Sequence, residues 1–178
     1  MIFRSRATIR TVRLTPRRAR PLDATLSAIA EADLITVGPG SLFTSLIPNL
    51  LVQGIPAAIR KSPAIKAHFV NLMSQPGETT GFRASDHIRA IQRHAHGKFL
   101  DYAVVNIRPI APALRKRYAR QEAMPVENDL DAIFRMGIRV MAENLAQQSG
   151  KVRHDPEATA AAVMELAQEG RRRRRGGR

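Results

Sequence analysis

The stretch Ala32-Asp33-Leu34-Ile35-Thr36-Val37-Gly38-Pro39-Gly40-Ser41-Leu42-Phe43-Thr44-Ser45 decides the fold. Leu34, Ile35 and Val37 make a short apolar run of the kind covered on both faces of a parallel sheet. Gly38-Pro39-Gly40 is a turn signal, because glycine tolerates backbone angles closed to other residues and proline fixes its own. Ser41, Thr44 and Ser45 then put hydroxyls where a helix begins. A strand that leaves the sheet this way presents free backbone N–H groups beside a crevice, which suits an anion. An ordinary tight turn with Ser41 as helix cap explains the same residues without a ligand. The stretch alone leaves both readings open.

The rest of the chain supplies the context. At 178 residues there is enough apolar sequence for one ordinary domain. No apolar run approaches the ~20 residues of a membrane span. Absence of cysteine excludes disulfides and thiolate metal sites, and no signal-peptide core follows the basic N-terminus. The expected location is the cytoplasm. A net charge of +14 suggests a nucleic-acid partner until it is located. Seven arginines and no acid lie in 1–20, and six more arginines and no acid in 171–178, so the body between them carries only about +1. With aromatic residues at 4%, stacking platforms for single strands are scarce. No membrane partner and no specific nucleic-acid partner is expected.

Residues 7–14 alternate apolar and polar side chains, as a half-exposed strand does. An alanine- and leucine-rich helix over 24–32, with Asp23 as cap, leads into the opening strand. Leu42, Phe43, Leu46, Ile47, Leu50 and Leu51 repeat at helical spacing, interrupted by Pro48. A second short helix is expected over 57–61, a strand over 65–73 and a polar loop over 74–81. Ser85 caps an expected helix over 85–96, with Asp86 in its first turn. A strand over 100–106, a basic helix over 111–121 and a short strand over 124–126 follow. Leu130, Ile133 and Phe134 mark a helix closed by Gly137; residues 138–140 return to the sheet, and a last helix covers 155–166. Helix alternating with strand specifies an α/β domain with a mainly parallel sheet and flanking helices. Residues 1–170 form that domain, and 171–178 a disordered arginine-rich tail.

Three polar clusters follow strand ends: Gly38-Pro39-Gly40-Ser41, the segment from Asn71 to Glu78, and Asn106. In a parallel sheet they gather at the carboxyl edge, where ligands bind, although asparagine at a strand end also simply caps turns. Asp86 and His87 are adjacent on a helix, point ~100° apart and form no acid–base pair with each other. Asp86 suits the crevice and His87 the core. His94 and His96 face different ways, so no metal site is expected from them. Asp155 and Pro156 open the last helix as cap and first residue. Arg153 just before them suits phosphate or carboxylate recognition, or plain solvation. Tyr118 on the basic helix stacks on a base or covers the core.

The run from Ala32-Asp33 through Ser45, then Ile47-Pro48-Asn49-Leu50-Leu51, resembles the bacterial gluconeogenesis factor family, relatives of the 2-phospho-L-lactate transferases of deazaflavin cofactor synthesis. Asn71-Leu72-Met73-Ser74-Gln75-Pro76-Gly77-Glu78-Thr79 followed by Ser85-Asp86-His87 is the second, more specific match. Tyr118, Pro125-Val126 and Arg153-His154-Asp155-Pro156 match later landmarks. The resemblance implies a Rossmann-like sheet, binding of UDP-N-acetylglucosamine, and support of gluconeogenic growth, cell shape and cell-wall synthesis. It puts Tyr118 and Arg153 on the nucleotide sugar, with the turn from Gly38 to Ser41 lining the same crevice. Asn71, Gln75, Glu78 and Asp86 complete the expected ligand-binding set, and a homo-oligomer is the expected assembly. The Gln75-Pro76-Gly77-Glu78 match favours this branch, which has no firmly established reaction, over the transferase branch.

The transferase branch remains the alternative: an enzyme moving a phospholactyl group from a nucleotide diphosphate carrier with a divalent metal. A nucleic-acid-associated protein acting through its basic ends is a second alternative. One departure is evident. Family members begin with a strand and a Gly-Gly-Gly-Thr-Gly-type phosphate loop, and this sequence has neither. It resembles the C-terminal half or so of a member, and a truncated product or incomplete gene model with weak or no ligand binding alone is the expectation.

Overall fold

The computed structural model describes residues 9–176. Four parallel strands, β1 (Leu34–Val37), β2 (Ile65–Phe69), β3 (Tyr102–Asn106) and β4 (Arg139–Glu143), lie side by side in chain order. The register pairs Leu34 with Ile65, Ala67 with Tyr102, and Tyr102 with Arg139. Their carboxyl ends therefore share one edge, and the loops after Val37, Phe69 and Asn106 meet there. The expected gathering of strand-end clusters is observed.

One face of the sheet is covered by α1 (Asp23–Glu31), α2 (Ile47–Leu50), α3 (Ile55–Lys61), α4 (Ala84–His94) and α6 (Leu130–Arg135), around a core that includes Leu42, Phe43, Ile47, Ile88, Ile91 and Val105. The other face is covered by α7 (Pro156–Gly176), whose Ala162 and Leu166 pack against Ile65, Ala67, Phe69 and Val104. Strand β3 is thus apolar on both sides, through Ala103 and Val105 on one and Val104 on the other, whereas β2 turns Ile65, Ala67 and Phe69 to α7 and buries Lys66 and His68 on its other side. Ile88, Ile91 and Leu166 are fully buried, each worth about 1.5–3 kcal/mol against exposure. Helix α5 (Pro112–Ala119) and a two-stranded antiparallel ribbon, β5 (Ala146–Gln147) with β6 (Arg153–His154), stand near the carboxyl edge.

Pro48 divides the segment after the opening turn in an unexpected way. Residues Leu42–Leu46 form one wide π turn in which the Leu46 N–H reaches the Ser41 carbonyl at 3.0 Å. That turn delivers Pro48 to the start of α2, where its missing N–H costs nothing. Gly54 takes φ +90° before α3, and Gly137 takes φ +77° where α6 closes.

Several expectations need correction. Residues 9–14 form no strand, and 7 and 8 lie outside the described residues. Ile9 and Val12 pack on the helix-side core, and the Val12 N–H donates to His94 Nε2 at 3.4 Å. Their alternation reflects contact with helices, not a ladder. Leu22, not Asp23, precedes α1, without a side-chain cap. Strand β2 stops at Phe69 instead of reaching residue 73, and residues 124–126 contribute only a bridge between Met73 and Pro125. Ser85 is no cap: it is buried inside α4, its N–H and hydroxyl both donating to Asp129. Asp86 instead accepts from the Arg83 N–H at 2.9 Å and caps α4. The expected disordered tail is helical through Gly176, because Arg171 and Arg174 pair with Asp33 and Arg173 with Asp101. The cap at Asp155 is as expected, its Oδ1 accepting from the Glu157 and Ala158 N–H groups at 3.0 Å.

Candidate functional site

The turn after β1 is shaped by packing. Gly38 has φ +90°, and a Cβ there would lie 3.1 Å from the Phe69 carbonyl oxygen and 3.4 Å from Leu46 Cδ1. A Cβ on Gly40 would lie 3.2 Å from Leu46 Cδ2. Both glycines let this turn pass close over the end of β2 and over Leu46, while Pro39 is exposed. Ser41 makes no capping bond. Its hydroxyl donates to Glu78 Oε2 at 2.7 Å and accepts from Thr44 Oγ1 at 2.6 Å. The two stretches singled out in the sequence are therefore joined by a charge-assisted bond at the carboxyl edge.

Beside that bond lies a cavity of about 530 Å³ lined by Thr44, Gln75, Glu78, Tyr118, Gln121 and Val152, among others. The Gln75 side-chain oxygen is buried without a protein partner, a feature that calls for water or a ligand. The Tyr118 hydroxyl accepts the Val152 N–H at 3.1 Å, which leaves its own proton to donate. Val152 precedes Arg153, and Arg117 precedes Tyr118. Arg117, Lys151 and Arg153 line a second cavity of about 360 Å³ with Gln147, Ser149 and Gly150. The Tyr118–Val152 bond thus ties together the two segments, 117–118 and 151–153, that line both the polar and the cationic chamber. Three positive groups with no acid in the lining suit a phosphate or diphosphate.

Not all expected residues converge. Asn71 lines a separate cavity of about 500 Å³ with Asn106, Arg108, Arg115 and Asn128. Asn106 is spent on the backbone: its amide donates to the Arg108 carbonyl, and its Oδ1 accepts from Arg108 and Leu145. Asp86 is committed to the α4 cap and to Arg89 at 3.3 Å. Arg117, Lys151 and Gln121 were missed by sequence reasoning; Arg117 adjoins Tyr118 and Lys151 lies two positions before Arg153, but ribbon β5–β6, which carries Arg153, has no apolar periodicity to reveal it.

Beneath the edge lie two buried histidines. His68 on β2 donates from Nδ1 to the Val37 carbonyl at 2.8 Å, so its Nε2 is the bare acceptor, and that nitrogen has no partner. His87 on α4 stacks on it, ring centroids 6.2 Å apart, and neither of its nitrogens is bonded. Burial pushes His68 down to about 3 and His87 down to about 4. His87 therefore belongs to the core, as expected. Among the described residues no three His, Asp or Glu side chains converge on a metal position, and Glu78 is the only acid in the lining of the polar chamber.

A singly ordered parallel sheet with polar and cationic chambers at its carboxyl edge defines a Rossmann-like α/β protein. The chain belongs to the CofD family: residues 2–146 match the family described as 2-phospho-L-lactate transferase CofD. It is 39% identical over 162 residues to the gluconeogenesis factor of Bacillus subtilis, covering 90% of this chain and 51% of the relative. To a putative gluconeogenesis factor of Aquifex aeolicus it is 43% identical over 154 residues, covering 86% and 47%. A crystal structure of a Bacillus halodurans protein superposes with TM-score 0.85 at 39% identity, over 88% of this chain and 51% of that one. The chain spans about half the length of the curated relatives it matches.

Proposed function

We propose that this chain carries the nucleotide-sugar-binding part of a gluconeogenesis-factor-type regulator, taking UDP-N-acetylglucosamine in the cytoplasm and serving gluconeogenic growth, cell shape and wall synthesis. The observation that carries the reading is the Tyr118–Val152 bond, which ties together the segments lining the two chambers. Arg117, Lys151 and Arg153 suit the diphosphate, whereas Gln75, Glu78 and the Tyr118 hydroxyl offer an acceptor, a carboxylate and a donor to a hydroxylated sugar or base. The names of the relatives support the regulatory context.

Calorimetric titration of the chain with UDP-N-acetylglucosamine tests this. Arg153→Ala is expected to weaken binding about tenfold or more, and Tyr118→Phe less, because the ring remains. Absence of binding by the folded chain, or binding indifferent to Arg153→Ala, overturns the reading.

A second reading, transfer of a phospholactyl group, is favoured by the family description. Among the described residues no three His, Asp or Glu side chains converge to hold a metal by themselves, so a divalent ion in this reading would rest on Glu78 and the substrate phosphates. Turnover of a nucleotide-activated phospholactate with a deazaflavin acceptor and metal would replace the first reading by this one.

A further inference from the structure

We propose that the cavity between the 17–20 loop and helix α3 is a second anion site, for a small molecule carrying two or more linked phosphates. This cavity, about 630 Å³, is lined by Arg17, Arg18, Arg20 and Arg60, with His96 beside them, and no carboxylate enters the lining. Its remaining wall includes Leu51, Val52, Pro56 and Ala57. Four guanidinium groups around one concavity repel each other, and none of them pairs with an acid among the described residues. An oligophosphate relieves that repulsion and matches the planar, forked donors of arginine. The apolar wall offers contact to an organic substituent on the phosphate chain.

Two contacts make this a built cavity instead of a loose charge cluster. The Gln53 N–H donates to the Ala19 carbonyl at 3.0 Å and pins the arginine loop against the turn before α3. Arg60 donates from one terminal nitrogen to the Ala95 carbonyl at 2.8 Å, which holds its guanidinium in place with further N–H groups to offer. His94 takes no part: its Nδ1 donates to the Ala90 carbonyl, and its Nε2 accepts from Val12. None of these residues belongs to the chambers around Tyr118, so the two sites stand or fall separately.

Inorganic tripolyphosphate and adenosine triphosphate, titrated into the full chain by calorimetry at fixed salt, distinguish a bare phosphate chain from a phosphorylated organic ligand. With the Arg117–Lys151–Arg153 chamber disabled by Arg153→Ala, saturable binding with a stoichiometry of one is expected. Arg18→Ala and Arg60→Ala are each expected to weaken it about tenfold, the latter only partly rescued by Arg60→Lys, which keeps the charge but loses the fork. In that background the tail pair Arg172→Ala with Arg175→Ala is expected to leave it unchanged. Tighter binding of the nucleotide than of tripolyphosphate assigns the apolar wall to the organic part; equal binding assigns the site to the phosphate chain alone. Arg18 is exposed and pairs with no acid among the described residues, so Arg18→Ala keeps the test valid even where Arg60→Ala loosens α3. Non-saturating binding, binding indifferent to Arg18→Ala, or loss through the tail pair overturns the proposal. So does retention of single-stranded DNA, lost with Arg18→Ala, in the absence of tripolyphosphate binding.

Discussion

At the amino ends of the strands Asp33, Lys66, Asp101 and Arg139 are each answered from within the protein, whereas the cavity at the carboxyl end leaves positive charge over. Asp33, before β1, meets Arg171 at 3.2 Å and Arg174 at 3.5 Å, and Asp101, before β3, meets Arg173 at 3.6 Å. Lys66 donates to the Ser62 carbonyl at 2.6 Å, and burial lowers its affinity for a proton. Arg139 stacks on Tyr102 and pairs with Glu169 at 3.0 Å; Glu169 also accepts the Tyr102 hydroxyl, which burial and that bond push up to about 12. At the carboxyl end Arg117, Lys151 and Arg153 share a cavity with no acid. Matched charges fasten α7 to the sheet; unmatched ones leave room for a ligand.

The largest expected effect falls beneath the carboxyl end. His68 and His87 are held neutral in the fold, with proton affinities far below that of an exposed imidazole. Their stabilising balance is therefore fully present above about pH 6.5 and is lost as pH falls toward about 4, because the unfolded chain gains protons first. Denaturant unfolding at pH 7, 6, 5 and 4 should show stability falling, and His87→Leu should flatten the slope by up to about 1.4 kcal/mol per pH unit. An unchanged slope in that variant would place the titrating groups elsewhere.

Next in size is the seam at the amino end. A Cβ on Gly170 would overlap the Asp33 carbonyl oxygen, so Gly170→Ala should cost about 1–3 kcal/mol, read as a lower urea midpoint. A neutral result would show α7 to be loosely seated. Ser41→Ala removes the bond to Glu78 and should cost about 1 kcal/mol, with a larger proportional effect on ligand affinity than on stability if the cleft is the binding site. Smallest is Arg173→Ala: at 3.6 Å from Asp101 and half exposed, it should change stability by under about 0.5 kcal/mol and vanish in high salt. A cost well above that would mean the tail arginines act as a network.

Much of the fold was legible because its signals are local. Leu34, Ile35 and Val37 before Gly38-Pro39-Gly40, and the capping pair Asp155-Pro156, carry their own geometry. Residues 9–14 misled because alternation reports one buried face without naming what buries it; here helices do. The arginine tail misled because composition reads a charge run as solvated, while Asp33 and Asp101 lie far away in sequence.

The candidate site divides the same way. Ser41, Gln75, Glu78, Tyr118 and Arg153 could be chosen from the sequence, as could the parallel sheet that gathers strand ends at one edge. Only the tertiary structure joined Ser41 to Glu78, Tyr118 to Val152 and Asn106 to Leu145. The physical reason is range. Propensity, periodicity and caps act within a few residues, whereas the hydrogen bonds that decide which polar groups are spent and which stay free cross 34 to 39 positions of chain.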